Sequence, residues 1–242
     1  MEAAIVIPAR FQSSRFPGKP LAMIAGKSLI HRVWERCLGV VPTNRIYVAT
    51  EDQRIREHCA AFGAETLMTS STCLTGTDRV AEAAEQIPCE LIVNVQGDEP
   101  LIVPDDVRVV LDALRADPRV VHNAYCPIET DQDYRSRNVP KVVAAQSGKL
   151  LYMSRAPIPG TKADQFVTAL RQVCIYGFTR EHLRLFASRT AKTPLEQLED
   201  IEILRFVELG VQVQMSALTR TTHAVDVPED VQKIEEALRA ST

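Results

Sequence analysis

Through its first half the chain alternates two hydrophobic patterns, and this alternation constrains its fold more than any other feature. Short apolar runs at Ala4–Ile7, Arg45–Ala49, Glu65–Met68 and Glu90–Val95 are separated by segments of helical spacing. Leu29–Leu38 places Ile30, Val33, Trp34 and Cys37 on one face. A second helix opens at Thr50–Glu51–Asp52 and runs through Phe62 to a stop at Gly63. A third is capped by Thr77 or Asp78 and runs to Gln86. A fourth spans Pro104–Leu114, with Pro at its start and Asp105–Asp106 in its first turn. Strands separated by helices of this length predict βαβ units, hence a parallel sheet with helices on both faces.

The second half changes character. Lys141–Ala145 and Leu150–Met153 flank a Gln146–Ser147–Gly148–Lys149 turn and read as an antiparallel hairpin. Ala156–Phe166 reads as a loop and Val173–Phe178 as a strand. Helices follow over Thr179–Ala187 and over Leu195–Leu209, the latter ending at Gly210. A strand at Val211–Met215 and a closing helix at Pro228–Leu238 complete the chain. The expected organisation is a single domain over 1–242, with a β-rich insertion at about 120–175.

Composition narrows the function classes. The 242 residues are 45% hydrophobic and 24% charged, with a net charge of −3. That balance excludes a wholly disordered chain and gives no support for nucleic-acid or membrane-surface binding. The longest apolar runs fall far short of the about 20 residues of a membrane span. Residues 1–10 lack a charged n-region, so no signal peptide is expected and the protein is read as cytoplasmic. The six cysteines form no CxxC pair and no zinc-ligand spacing with histidine, so they read as reduced thiols. His31 and His58 fall in amphipathic helices and read as structural.

Three segments carry chemistry. Ile7–Pro20 (IPARFQSSRFPGKP) follows a strand and holds Arg10, Arg15 and Lys19 with no acid. Such a loop past a parallel strand is where open α/β sheets bind ligands, and three cations there suit a polyphosphate. Ile92–Pro100 (IVNVQGDEP) ends an apolar strand in Gln96–Gly97–Asp98, placing a carboxylate where it could hold Mg²⁺ against substrate phosphates. Ala224–Asp230 (AVDVPED) offers Asp226 ahead of a helix whose first turn takes Glu229 and Asp230. Ala25–Gly26–Lys27–Ser28 ends like a P-loop, but Leu21 stands where its first glycine is required. A GxGxxG fingerprint after the first strand is also absent, which argues against a standard dehydrogenase.

IPARFQSSRFPGKPL, TGTDR at Thr75–Arg79, VNVQGDEP, LYMSRAPIP, IYGF and VDVPED occur in one order along the chain. Together they resemble the 3-deoxy-manno-octulosonate cytidylyltransferase family, also called CMP-Kdo synthetases. The resemblance implies an α/β fold, a Rossmann-like three-layer nucleotide-diphospho-sugar transferase with a smaller β-rich dimerisation subdomain. It implies a Mg²⁺-dependent cytidylyltransferase joining CTP to a 2-keto-3-deoxy sugar acid, with pyrophosphate released, in lipopolysaccharide biosynthesis, as a homodimer.

The same resemblance implies a role for each matching residue. Arg10 and Lys19 hold the triphosphate, with Arg15 nearby, and are catalytic together with Asp98. Pro8, Ala9, Thr75 and Arg79 line the cytidine site, and Gln96 stands between nucleotide and sugar. Asp98 and Asp226 hold Mg²⁺. Arg155, Tyr176 and Glu196 face the acidic sugar. One departure concerns the acceptor: Gln172 stands where the family usually has His, and Cys174 where it has Gly. The alternative is therefore a CTP-dependent enzyme of the same family acting on another acid or a small phosphonate. A nucleotide-binding protein without turnover is the reading from a different class, and the intact set Arg10, Lys19, Asp98 and Asp226 argues against it.

Overall fold

The computed structural model describes residues 1–13, 15–219 and 223–240, so Ser14 of the basic loop lies outside the described residues. Eleven strands and nine α-helices follow one another through these residues. The first half runs β1 (Ala3–Pro8), a small hairpin of β2 (Met23–Ile24) and β3 (Lys27–Ser28), α1 (Leu29–Cys37), β4 (Ile46–Thr50), α2 (Gln53–Ala61), β5 (Glu65–Met68), α3 (Gly76–Ala84), β6 (Leu91–Val95) and α4 (Pro104–Ala116). There follow β7 (Val121–Pro127), α5 (Asp131–Arg135), β8 (Lys141–Ala144), β9 (Leu150–Ser154), β10 (Leu170–Thr179), α6 (Arg180–Ala187), α7 (Pro194–Glu199), α8 (Ile203–Glu208), β11 (Val213–Ala217) and α9 (Asp230–Ala240).

The main sheet has the order β11-β7-β10-β6-β1-β4-β5. β6, β1, β4 and β5 are mutually parallel, and β7 and β11 share their direction; β10 alone on this path runs against them. Every residue of β1, β4 and β6 is buried, as a strand covered on both faces requires. Ile5, Ile7, Val93 and Val95 pack on one side with Leu29, Ile30 and Val33 of α1 and Val107, Val110 and Leu111 of α4. Ala4, Val6 and Ile92 pack on the other with Val80 of α3, Phe186 of α6 and Phe206 of α8. Two cores, one on each face of a sheet, make the three-layer α/β sandwich that the sequence implies.

Local chemistry sets the helix boundaries. Ser28 caps α1 by accepting from His31 N, and Asp52 caps α2 by accepting from Arg54 N; each such cap contributes about 1 kcal/mol. α3 begins at Gly76 under a Thr75 cap, earlier than the Thr77 or Asp78 start expected. The P-loop lookalike is a surface turn: Gly26 has φ +81° and Lys27 pairs with Glu35 at 2.6 Å. His31 stacks on Phe62 with ring centroids 4.1 Å apart, and His58 Nε2 lies 2.7 Å from Ser28 Oγ, so both serve the α1–α2 packing.

Two expectations change. The helix read over Leu195–Leu209 is two helices, α7 and α8, broken where Asp200 takes φ +50°. The reason is tertiary. Arg155 Nε donates to Glu199 O and Arg155 Nη2 to Asp200 O, drawing away two carbonyls that a continuous helix would use. The stretch 120–175 also divides. β7 and β10 run inside the main sheet, while the β8–β9 hairpin leaves its path from β10. No helix among the described residues is long and apolar enough to cross a membrane.

Candidate active site

The parallel strands end on one edge, and their loops meet there. Past β1, Ala9 N donates to Ala49 O at 2.8 Å, which keeps Pro8 and Ala9 buried against β4 while Arg10 emerges exposed. The basic loop is tethered at two points. Phe11 N donates to Glu51 Oε1 at 3.1 Å, and the Arg54 guanidinium lies 3.4 Å over the Phe11 ring. Past β6, a Cβ on Gly97 would stand 2.7 Å from Pro8 O, so only glycine lets the two loops touch here. A Cβ on Gly76, at the start of α3, would stand 2.8 Å from Gln96 Nε2. Pro8, Thr75, Gly76, Gln96 and Gly97 thus form one continuous wall.

The charged residues close on this wall. Lys19 Nζ lies 2.8 Å from Asp98 Oδ2 and donates to Val225 O at 2.9 Å. Val225 N donates to Asp98 O at 2.9 Å, which stitches the last loop to the end of β6. Asp226 comes next, with Oδ1 2.9 Å from Arg15 Nη2. Asp230 shapes that loop, its Oδ2 accepting from Asp226 N at 3.0 Å and Val227 N at 3.1 Å. Asp98 and Asp226, far apart in sequence, are therefore neighbours that each already hold a cation. Arg10 contributes to the field that lowers the Asp200 carboxyl, behind the larger effect of the Lys192 hydrogen bond.

Arg79 is placed differently from Lys19 and Arg10. Its side chain is buried, pairs with Glu51 at 2.8 Å and donates to Thr69 Oγ1. It stands behind the cleft and holds the Glu51 carboxylate that tethers Phe11. Thr75 caps α3 and donates to Asp78 Oδ2 at 2.7 Å.

Of the residues expected to face the acceptor, Gln172 and Tyr176 are buried on β10, and Gln172 Nε2 donates to Tyr176 Oη at 3.2 Å. Burial first, then the neighbouring Cys174 and Glu202, push the Tyr176 phenol well above its ordinary value, so it stays protonated and can donate. Arg155 is spent on backbone: besides Glu199 O and Asp200 O it donates to Arg137 O at 2.9 Å. Glu196 is not brought to the cleft. It is 0% exposed and is held by Arg205 at 2.6 Å and 2.7 Å, a fully buried pair.

The acid of this region that does reach the wall is Glu202, which sequence reasoning passed over. Its carboxylate accepts from Gly76 N at 3.0 Å, Thr77 N at 2.8 Å and Thr77 Oγ1 at 2.5 Å, sealing the α3 N-terminus beside Gln96. Burial raises its pKa while these hydrogen bonds oppose the shift. Glu196 lies inside α7 and Glu202 at the N-terminal end of α8, on either side of the break at Asp200.

Comparison with known proteins agrees with this architecture. A cytidylyltransferase family model matches residues 4–216. A 3-deoxy-manno-octulosonate cytidylyltransferase of Syntrophotalea carbinolica is 42% identical over 99% of both chains. The enzyme of that name from Escherichia coli is 36% identical, over 96% of this chain and 94% of its own. A CMP:2-keto-3-deoxy-manno-octonic acid synthetase solved in complex with CTP superposes with a TM-score of 0.91 at 34% identity, each chain fully covered. HddC from Yersinia pseudotuberculosis, 12% identical with a TM-score of 0.72, shares the fold. With the model matching from β1 into β11 and relatives aligned end to end, the chain belongs to the 3-deoxy-manno-octulosonate cytidylyltransferase family.

Proposed function

We propose that the protein transfers the cytidylyl group of CTP to 3-deoxy-manno-octulosonate, with Mg²⁺ held between Asp98 and Asp226. The observation that carries this reading is the meeting of those two carboxylates with Lys19 and Arg15 at the ends of β1 and β6. In the reaction the anomeric hydroxyl of the acceptor gives up its proton to water, and its oxygen bonds to the α-phosphorus. The bond to the β-phosphate bridging oxygen breaks, and pyrophosphate leaves with that electron pair.

The residues suit the ion. Two hard carboxylate oxygens, completed by phosphate oxygens and water, form the kind of set Mg²⁺ takes in nucleotide enzymes. Both carboxylates attract cations in this structure, since an ammonium and a guanidinium already lie against them. When bound, the ion neutralises phosphate charge and makes the α-phosphorus more electrophilic. Arg10 and Lys19 answer the charge that develops on the leaving pyrophosphate, and Arg15 supports them. Pro8, Ala9, Thr75 and Gln96 form the wall for the cytidine. Tyr176 and Gln172 offer neutral hydrogen-bonding groups to the sugar. The β8–β9 hairpin is the part we assign to the dimerising subdomain of a cytoplasmic homodimer.

The second reading keeps CTP and changes the acceptor to another acid or a small phosphonate. It is favoured by one observation, the neutral, buried Gln172 at the acceptor side. Pyrophosphate release is measured with CTP, Mg²⁺ and a panel of acid acceptors. The proposal expects 3-deoxy-manno-octulosonate to rank first, and Asp98→Asn and Asp226→Asn each to abolish release while the melting curve is kept. Release by either variant at the wild-type rate removes that residue from the site; a different first-ranked acid establishes the second reading.

A further inference from the structure

β10 does not pair evenly with β7. Val173 faces Ala124 and Tyr176 faces Asn123, so Cys174 and Ile175 stand without partners on β7. A bulge of this kind takes backbone carbonyls off the ladder deep inside a sheet, where each needs another donor. Every one of the three finds one. Asn123, fully buried, donates through Nδ2 to Val173 O at 3.0 Å and to Ile175 O at 2.8 Å. The carbonyl between them, Cys174 O, accepts from Gln96 N at 3.1 Å on the other flank. The bulge is thus clasped by Asn123 from β7 and by Gln96 from the end of β6.

Both Nδ2 protons of Asn123 are used, and this fixes the polarity of the neighbouring side chains. The oxygen end, Oδ1, faces Gln172 and accepts from its Nε2 at 3.0 Å. That same Nε2 gives its second proton to Tyr176 Oη at 3.2 Å. The Gln172 amide is therefore turned with its nitrogen inward, and its carbonyl is the end left outside the chain of bonds. Tyr176 Oη accepts from Gln172, and its own proton is engaged by the neighbouring Cys174 side chain.

We propose that Asn123 is a positioning residue for acceptor recognition: through the bulge and through Gln172 it makes the site present a carbonyl acceptor at Gln172, with the Tyr176 hydroxyl held between Gln172 and Cys174. The substrate it suits is a sugar acid with a hydroxyl donating to the Gln172 carbonyl. This rests on the acceptor side assigned to Gln172 and Tyr176 above. Asn123 touches neither substrate nor nucleotide and acts only through its neighbours.

The test separates positioning from mere support. In Asn123→Ala the acceptor KM should rise by about tenfold, the weight of one or two neutral hydrogen bonds, with the KM for CTP held within about twofold. A general structural role would move both or neither, and either result overturns the proposal. A second measurement uses the unaltered enzyme, in case the variant does not fold. In ¹H–¹⁵N spectra the side-chain amide protons of Asn123 and Gln172 should exchange with solvent at least about tenfold more slowly than exposed side-chain amides, as buried bonded groups do. Addition of the preferred acceptor should shift the Gln172 pair and leave Asn123 protected. Rapid exchange at Asn123 refutes the clasp whatever the acceptor. Slow exchange in a protein that ignores 3-deoxy-manno-octulosonate upholds the clasp and refutes only the named acceptor.

Discussion

Arg205→Met decides whether Glu196 belongs to the core or to the acceptor site. The Arg205 guanidinium is fully buried and reaches three partners. It donates to Glu196 through Nε and Nη2, to Asp78 Oδ1 at 2.7 Å and to Phe186 O at 3.2 Å, and it lies 3.6 Å over the Phe186 ring. Methionine keeps most of the stem volume and removes the charge. Asp78 keeps Thr75 and borders solvent, but Glu196 is left as a buried carboxylate without its cation. Breaking a buried pair from one side costs about 3–5 kcal/mol. With about 2.1 cal/mol/K of unfolding entropy per residue, a chain this long should melt about 6–10 °C lower. Adding Glu196→Gln to Arg205→Met removes the stranded charge and should return at least about 1 kcal/mol. Urea titrations followed by circular dichroism measure the cycle, and pyrophosphate release gives the acceptor KM. The reasoning fails if Arg205→Met costs under about 1 kcal/mol, or if Glu196→Gln raises the acceptor KM with stability intact. The latter would return Glu196 to the sugar.

Other expected outcomes rest on the same contacts. Lys19→Ala should lower kcat at saturating CTP by about a hundredfold, because the charge it answers develops in the transition state; a raised CTP KM alone would make Lys19 a binding residue only. Glu51→Gln keeps an acceptor for Phe11 N but loses the ion pair with Arg79, so the CTP KM should rise while the acceptor KM holds; equal rises would show that Glu51 supports the whole fold. His122 and His182 both have pKa values lowered by burial from the ordinary 6.5, so the folded state binds fewer protons than the unfolded one. Their contribution to stability is whole above that unfolded value and is lost as pH falls below it. Denaturation midpoints across this range should show the acid slope flatten in His122→Gln, and an unchanged slope would clear His122.

What the sequence made legible was local. The strand–helix alternation, the caps at Ser28 and Asp52, and the loops after β1 and β6 are each written within a few residues, and so were the cations and carboxylates those loops carry. β7 is hard to read because His122 and Asn123 interrupt its apolar pattern; His122 is held by Asp117 O at the end of α4, and Asn123 by carbonyls of β10. The break at Asp200 was missed because its cause is Arg155, which reaches in from the end of β9. Arg79 was read as part of the cytidine wall, since nothing in TGTDR shows that Glu51 takes its charge. The burial of Glu196 was not legible because its cause is Arg205, nine residues on and across the break at Asp200.

The distribution of ion pairs matches the work each region does. Lys19–Asp98 and Arg15–Asp226 lie at the cleft, with side-chain exposures of 17%/27% and 53%/27%. Arg15, the most open of the four, contributes about 0–1 kcal/mol through its pair, and Lys19–Asp98 is only partly buried, so on the proposed function a triphosphate and its cation can take over these charges. Arg205–Glu196 is 0% exposed on both sides and lies behind α3, where no substrate exchanges it. The side proposed for the acceptor follows a third rule: Asn123, Gln172 and Tyr176 are neutral and joined by directed hydrogen bonds. A charge there could re-pair with any ion, whereas an amide whose nitrogen is already committed can answer only with its oxygen. On the proposed function, the nucleotide end is therefore held by exchangeable charge and the sugar end by fixed polarity.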